Sequence, residues 1–347
     1  MVDAVQTAGF DAMSSGGATL LGSAARYPLI PVDRDAEELV VRSVFAGEVA
    51  RERAVRLVEV GSHWRPAVIV RDEMDFGSAV AAERLGLPHA AVIVLAAGGL
   101  VRPDVVGEPL DALRVEHGLS PDPTLAMLHR HLAIAPFPAS FRDPAAALPS
   151  TAHYIRPAVL ESVARTDRDG SARRPRDRPT VYVSLGTVFP QESGDLFARV
   201  LGGLSRLEVD VIVTVGPELD PAELGPQPPH VHVARFLPLG DVLPQCDAVI
   251  THAGSGTVIG ALAYGLPMVL LPMGADQPFN ADRCVTLGVG IALDAFTATS
   301  DDVREAVVEV LTVPAYRNAA QQLQDEIHDL PDAASAVQRL SQLASVR

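Results

Sequence analysis

VHVARFLPLGDVLPQCDAVITHAGSGTVIGALAYGLPMVLLPMGADQPFN, residues Val231 to Asn280, is the stretch whose reading decides the fold. Two apolar runs within it, Ala248 to Thr251 and Met268 to Leu271, have the length and composition of buried parallel strands. Between them His252-Ala253-Gly254-Ser255-Gly256-Thr257 is a small-residue turn that opens an apolar helix. The first N–H groups of such a helix lack intrahelical partners and carry the positive end of its dipole. An anion, phosphate above all, is therefore the expected guest beyond the strand's carboxyl end. Gly254 and Gly256 let the backbone approach a ligand and take positive φ; Ser255 and Thr257 bring hydroxyl donors and help cap the helix; His252 adds a donor to the same anion. Asp276-Gln277 follows the next strand through Pro272-Met273-Gly274-Ala275 and so falls at the same sheet edge. A carboxylate beside a carboxamide suits sugar hydroxyls there, and Asp276 also has the chemistry of a helix N-cap.

Outward from this block, apolar runs at Val181 to Ser184, Val209 to Val215, Val231 to Ala234 and Ile291 to Leu293 alternate with helical stretches. With the two runs above they predict a doubly wound parallel sheet of six strands. Residues 164–179, ARTDRDGSARRPRDRP, are charged, proline-bearing and without apolar period, and read as a solvated linker. Before it lies a second α/β unit that opens with a helix, Val2 to Ala8, ended by Gly9, and then a short strand near Phe10 to Met13. A further strand, Ala67 to Val70, leads to Asp72 and Asp75, ahead of a helix beginning near Phe76.

Composition narrows the function classes. The chain has 347 residues, 48% of them hydrophobic, which is enough for two buried α/β cores. A formal charge of −15 argues against nucleic acid as a partner, because a phosphate backbone requires a basic surface. Lysine is absent, so every strongly basic side chain is arginine. No apolar run reaches membrane-spanning length and the amino terminus has no charged-then-apolar pattern, so the expected location is the cytoplasm. Cys246 and Cys284 have no metal-ligand spacing and are expected to be reduced, semi-buried thiols.

Four blocks, VYVSLGT at Val181 to Thr187, RFLPLGDVLP at Arg235 to Pro244, THAGSGT at Thr251 to Thr257 and GADQPFNA at Gly274 to Ala281, stand in an order and spacing that resembles the UDP-glycosyltransferase superfamily. The likeness is greatest to its bacterial branch that glycosylates antibiotics and other natural products. It runs from Met1 to about Arg339 and fades between Ala96 and Arg156. The resemblance implies a GT-B fold, α/β, with two Rossmann-like doubly wound domains facing a cleft. These would be an acceptor-binding domain over 1–163 and a nucleotide-sugar domain over 180–330, with a final helix in 331–347 returning toward the first domain. It implies inverting transfer of a (deoxy)sugar from a dTDP- or UDP-sugar to a hydroxyl of a lipophilic natural-product aglycone, with no cofactor and no metal. Phe236 would stack on the base and Leu237 would bond its edge. His252 and the Gly254, Ser255, Gly256 and Thr257 amides would hold the pyrophosphate. Ser184, Gly186 and Thr187 would line the phosphate and sugar region, and Asp276 and Gln277 would take the sugar hydroxyls. Where UDP-using members carry a ribose-binding Glu, this chain has Gly260, which favours deoxyribose and hence dTDP.

The amino half departs from the family pattern. Family members begin with a strand, a histidine-bearing loop, a helix and a second strand, roughly 30 to 40 residues by typical element lengths. The likeness starts after them, so the expectation is an amino-terminal domain lacking its first strands and with them the family's catalytic histidine. Asp72 matches the carboxylate that orients that histidine and Asp75 is the alternative, while either acid can cap the helix near Phe76. His63, His89, His117, His129 and His131 read as surface or core polar residues. Three other readings stay open: an inactive truncated homologue that binds nucleotide or assists a partner, a sugar-nucleotide epimerase, and a metal-dependent transferase using Asp33-Arg34-Asp35.

Overall fold

The computed structural model describes residues 2–14, 28–159, 177–186 and 193–345. Two all-parallel sheets organise them. The amino half carries four strands in simple order, β1 (Ile69–Asp72), β2 (His89–Val92), β3 (Leu132–Ala135) and β4 (Ala152–Tyr154). The carboxyl half carries six, β5 (Thr180–Ser184), β6 (Asp210–Thr214), β7 (Val231–Ala234), β8 (Ala248–Thr251), β9 (Met268–Leu270) and β10 (Gly290–Ala292), in the order β10-β9-β8-β5-β6-β7. The order reverses between β5 and β8, and a crevice opens at such a reversal because consecutive connections leave on opposite faces. Every residue of β5, β8 and β9 is buried, as strands covered by helices on both faces must be. The six strands expected from the sequence are the six observed, within a residue or two at their ends.

The amino half holds α1 (Val2–Thr7), α2 (Arg34–Val40), α3 (Ala50–Trp64), α4 (Phe76–Leu85) and α5 (Glu108–Glu116), and a π-helical stretch, Val41–Val49, joins α2 to α3. The carboxyl half adds α6 (Leu196–Leu204), α7 (Ser255–Ala263), α8 (Gln277–Thr286), α9 (Ser300–Thr312), α10 (Pro314–Asp329) and α11 (Ala333–Ala344). Helix α11 lies against the amino-half sheet: Ala336, Leu340 and Leu343 pack with Ala90, Leu132, Ile134 and Ile155. One apolar cluster runs through both halves, from Ile93, Ala96, Ala97, Phe137 and Phe141 to Tyr182, Val249, Val258 and Leu262. The halves therefore share a core along their seam.

One expectation for the amino half is corrected, and one of the open readings loses its support. Phe10 to Met13 is irregular, with Phe10 and Met13 68% and 65% exposed; among the described residues it belongs to neither sheet, and an unpaired run of four residues has no ladder to hold it extended. Asp33 is the N-cap of α2, accepting from the Asp35 and Ala36 N–H groups, and Arg34 pairs with Asp282 at 2.6 Å, so Asp33-Arg34-Asp35 is a cap and a salt bridge. Among the described residues no group of His, Cys, Asp and Glu is arranged to hold a metal ion, and none of their helices is long and apolar enough to cross a membrane. Cys246 and Cys284 form no disulfide and are wholly buried, not half-buried as expected. Of the 164–179 segment, all but Asp177, Arg178 and Pro179 lies outside the described residues.

Candidate nucleotide-sugar site

The crevice at the β5/β8 reversal is a cavity of about 280 Å³. It is lined by Tyr182, Ser184 and Gly186 from β5 and its loop, Thr214 and Gly216 after β6, Arg235, Phe236, Leu237 and Leu239 after β7, and His252 with Gly254, Ser255, Gly256 and Thr257 after β8. Motifs separated by some 70 residues of sequence thus meet because parallel strands deliver all their carboxyl ends to one edge. Thr187 lies outside the described residues.

Gly254 is the N-cap of α7 and offers no side chain to the helix end. The helical ladder begins with the Thr257 and Val258 N–H groups on the Gly254 carbonyl, so the Ser255 and Gly256 amides precede it. The turn is held by a backbone outlier: Ala253 has φ +68°, a region that costs a non-glycine residue of order 1–3 kcal/mol and persists only where its surroundings enforce it. His252 is clamped between two glycines. A Cβ at Gly186 would fall 2.6 Å from its Nε2 and a Cβ at Gly254 would fall 2.4 Å from the same atom. Both positions are glycine because the imidazole fills the space a side chain would need. Burial lowers the His252 pKa to about 4, against a backbone hydrogen bond with Ser184 that raises it, so the ring is neutral at pH 7.

The second turn repeats the device. Ala275, just before α8, has φ +52°, and Asp276 occupies the α8 N-cap position without capping it. The Asp276 Oδ2 instead accepts from the Ser255 hydroxyl at 2.7 Å and from the Asn280 Nδ2 at 2.8 Å. This corrects the sequence reading twice: Asp276 is not a side-chain cap, and the Ser255 hydroxyl is turned away from α7 toward the neighbouring carboxylate. Gln277 is 2% exposed, and its Oε1 accepts from the Met273 and Gly274 N–H groups at 2.8 and 3.3 Å. Neither Asp276 nor Gln277 is among the residues that line the cavity. Asn280, which the sequence reading passed over, lies one helical turn from Asp276 on the same face; that spacing was the signal available.

At the other end of the cavity Phe236 is 67% exposed, an apolar ring at the rim with no core to fill. Beneath it the Tyr182 hydroxyl and Thr214 Oγ1 share a 2.6 Å hydrogen bond. Gly260 is buried in α7, and a Cβ there would meet Leu243 Cδ1 at 3.3 Å and Leu239 Cδ1 at 3.4 Å. The space beside Gly260 is thus filled by leucine, and Leu239 itself lines the cavity.

In the amino half Asp72 ends β1, is exposed, and accepts from the Met74 N–H at 2.7 Å, while Asp75 caps α4 through the Ser78 N–H. The buried acid between them is Glu73, 1% exposed, whose Oε2 accepts from the Val94 and Leu95 N–H groups at 3.2 and 3.1 Å. Burial raises its pKa against the nearby Arg142 guanidinium and those two amides. His89 is fully buried and desolvation lowers its pKa to about 3; His129 is held near 4 for the same reason. His131 lies edge-on to His89, and His63 and His117 stand at the ends of α3 and α5.

Comparisons with known proteins cover most of the chain. Residues 198–343 match the family model described as erythromycin biosynthesis protein CIII-like, C-terminal domain. The chain is 31% identical over 300 residues to the elloramycin glycosyltransferase ElmGT of Streptomyces olivaceus, covering 83% of this chain and 72% of that protein. It is 29% identical over 238 residues to the demethyllactenocin mycarosyltransferase of Streptomyces fradiae, covering 68% of this chain but only 50% of the relative's length. Among solved structures, spinosyn rhamnosyltransferase SpnG superposes with a TM-score of 0.75 at 25% identity, over 89% of this chain and 81% of SpnG.

Proposed function

Because this chain belongs to the bacterial natural-product glycosyltransferases of the GT-B fold, we propose that its carboxyl half binds a dTDP-sugar and that the sugar passes, with inversion, to a hydroxyl of a lipophilic aglycone held by the amino half. The observation that carries this reading is the His252 ring, neutral and clamped by Gly186 and Gly254 at the open end of α7. A diphosphate there meets backbone N–H groups, the positive helix end and an imidazole N–H. All three stabilise charge as the nucleoside diphosphate departs, and the reading calls for no metal or cofactor. Phe236 is the platform for the base and Leu237 offers its backbone to the base edge. Ser184 and Gly186 border the phosphates, and Asp276 with the Gln277 amide takes the sugar hydroxyls.

Two observations favour dTDP. Leu239 and Leu243 occupy the space at Gly260 where a ribose-binding carboxylate would stand, which leaves a 2′-hydroxyl without a partner. SpnG, a structural neighbour with a TM-score of 0.73 at 24% identity, has also been solved in complex with thymidine diphosphate. On the acceptor side Asp72 stands at the carboxyl end of β1 as the candidate orienting carboxylate. Calorimetry on the whole chain tests the donor reading: dTDP should bind more tightly than dTMP and no more weakly than UDP. Equal affinity for dTDP and dTMP would remove the pyrophosphate assignment. Incubation with a dTDP-sugar and a panel of hydroxylated aglycones, read by mass spectrometry, tests transfer itself.

A further inference from the structure

We propose that Ser255 and Asn280 are positioning residues through which the docked amino half sets the orientation of the Asp276 carboxylate. The inference rests on the donor-site reading of Asp276 and adds a control to it. A serine hydroxyl has one proton and two lone pairs. The Ala96 N–H of the amino half donates to Ser255 Oγ at 2.9 Å and occupies one lone pair, while Asn280 Nδ2, 3.0 Å away, reaches the other only by sharing one of its two protons. The one proton then has a single acceptor in reach, Asp276 Oδ2 at 2.7 Å.

A second path runs alongside. The Ala97 N–H donates to Asn280 Oδ1 at 3.1 Å, which fixes which end of the amide faces the seam. Asn280 Nδ2 is thereby aimed at Asp276 Oδ2 at 2.8 Å and at the carbonyl of Ala253 at 3.0 Å, the left-handed residue of the phosphate turn. Two consecutive amides of one loop thus begin two relays that end on the same carboxylate oxygen. The loop is itself held firmly, since buried Glu73 accepts from Val94 and Leu95 and the Arg142 guanidinium donates to the Leu95 carbonyl. With the seam apart, Ser255 regains an open lone pair and a free rotor, and nothing dictates the Asn280 flip. Asp276 then loses its fixed geometry. Closure of the two halves and readiness of the sugar site become one event, and the Ser255 hydroxyl and Asn280 are its carriers.

The test uses the whole chain, with dTDP and dTDP-glucose as probes and amide hydrogen exchange at Ala96 and Ala97 as a readout independent of ligand. Ser255→Ala should speed exchange at Ala96, and Asn280→Asp, which sets a second carboxylate against Asp276, should loosen the same loop. Both should weaken dTDP-glucose by roughly tenfold more than they weaken dTDP, the scale of one charge-assisted hydrogen bond. Ser255→Thr keeps the hydroxyl and should restore both readouts. Equal losses for the two ligands, or unchanged exchange at both amides, would overturn the coupling while leaving the donor site intact. If the unaltered chain bound neither ligand, the donor-site reading would fall and the coupling with it.

Discussion

The two sheets follow one parallel pattern but furnish their carboxyl ends in opposite ways. After β5 and β8 stand small residues, with glycines at 186, 254 and 256, and helix amides that no side chain caps. At the carboxyl end of β1 stand Arg71 and Glu73, at 3% and 1% exposure, the guanidinium donating to the Glu73 and Leu128 carbonyls and the carboxylate accepting from amides of the loop after β2. Polar groups left open make a site; polar groups closed on one another make a support. The amino-half loops are thus a rigid counterpart that the donor turns lean on, and its buried charge is structural.

The largest expected effect would break that contrast from the amino side. Glu73→Ala leaves two buried amides without their acceptor and the Arg142 guanidinium without the carboxylate 3.6 Å away, a change that costs about 3–5 kcal/mol when one partner of a buried charged set is removed. Denaturant titration should show the amino half unfolding earlier; an unchanged midpoint would mean the carboxylate is dispensable there. Next, Gly254→Ala drives a methyl to within 2.4 Å of His252 Nε2 and should weaken dTDP binding by about 2–3 kcal/mol with the fold retained by circular dichroism. Undiminished affinity would show that the clamped ring is not what holds the phosphates.

His252→Ala should cost less, about 0.5–1.5 kcal/mol near pH 7, since a buried neutral imidazole gives an ordinary hydrogen bond and no full charge. Burial lowers this pKa and a bound phosphate anion raises it. The ring proton resonance should therefore titrate near 4 in the free chain and at a higher pH with dTDP, by NMR. A midpoint that stays put would place the anion elsewhere. The smallest effect is at Gly260. Its replacement by Glu has to displace Leu239 and Leu243 before reaching any ribose, so dTDP should weaken slightly and UDP should gain under about 1.5 kcal/mol. A full switch to UDP in calorimetry would show that the two leucines yield easily.

The donor half was legible in the sequence because buried parallel strands are short continuous apolar runs. Val231 to Ala234 and Ala248 to Thr251 appear at the expected residues for that reason. The left-handed residues of its two turns, however, are Ala253 and Ala275, where the sequence pointed to Gly254 and Gly256. What stayed hidden were partners across the seam. Nothing local in GADQPFNA says that Asn280 meets Ala97, or that the Ser255 hydroxyl leaves its helix for Asp276. Backbone amides of Ala96 and Ala97 have no side-chain signature at all. Phe10 to Met13 does not form the expected strand, because a run of four residues holds an extended shape only when a neighbouring strand pairs with it.

Phe279 and Gly99 turn the seam into a gauge. The ring lies so close to the glycine that a Cβ there would sit 2.4 Å from its Cδ1, and the same ring lies under the Arg34 guanidinium at 4.9 Å. It works as a shim whose thickness fixes how far apart the two bodies stand. A single methyl at position 99 would have to lift one body by about 1 Å to regain ordinary van der Waals spacing. A lift at one point of a stiff seam is a tilt, so the gap at the far mouth of the cleft would widen by more than the lift itself. The bore available to a guest is thus set, in part, by a single hydrogen atom at the seam.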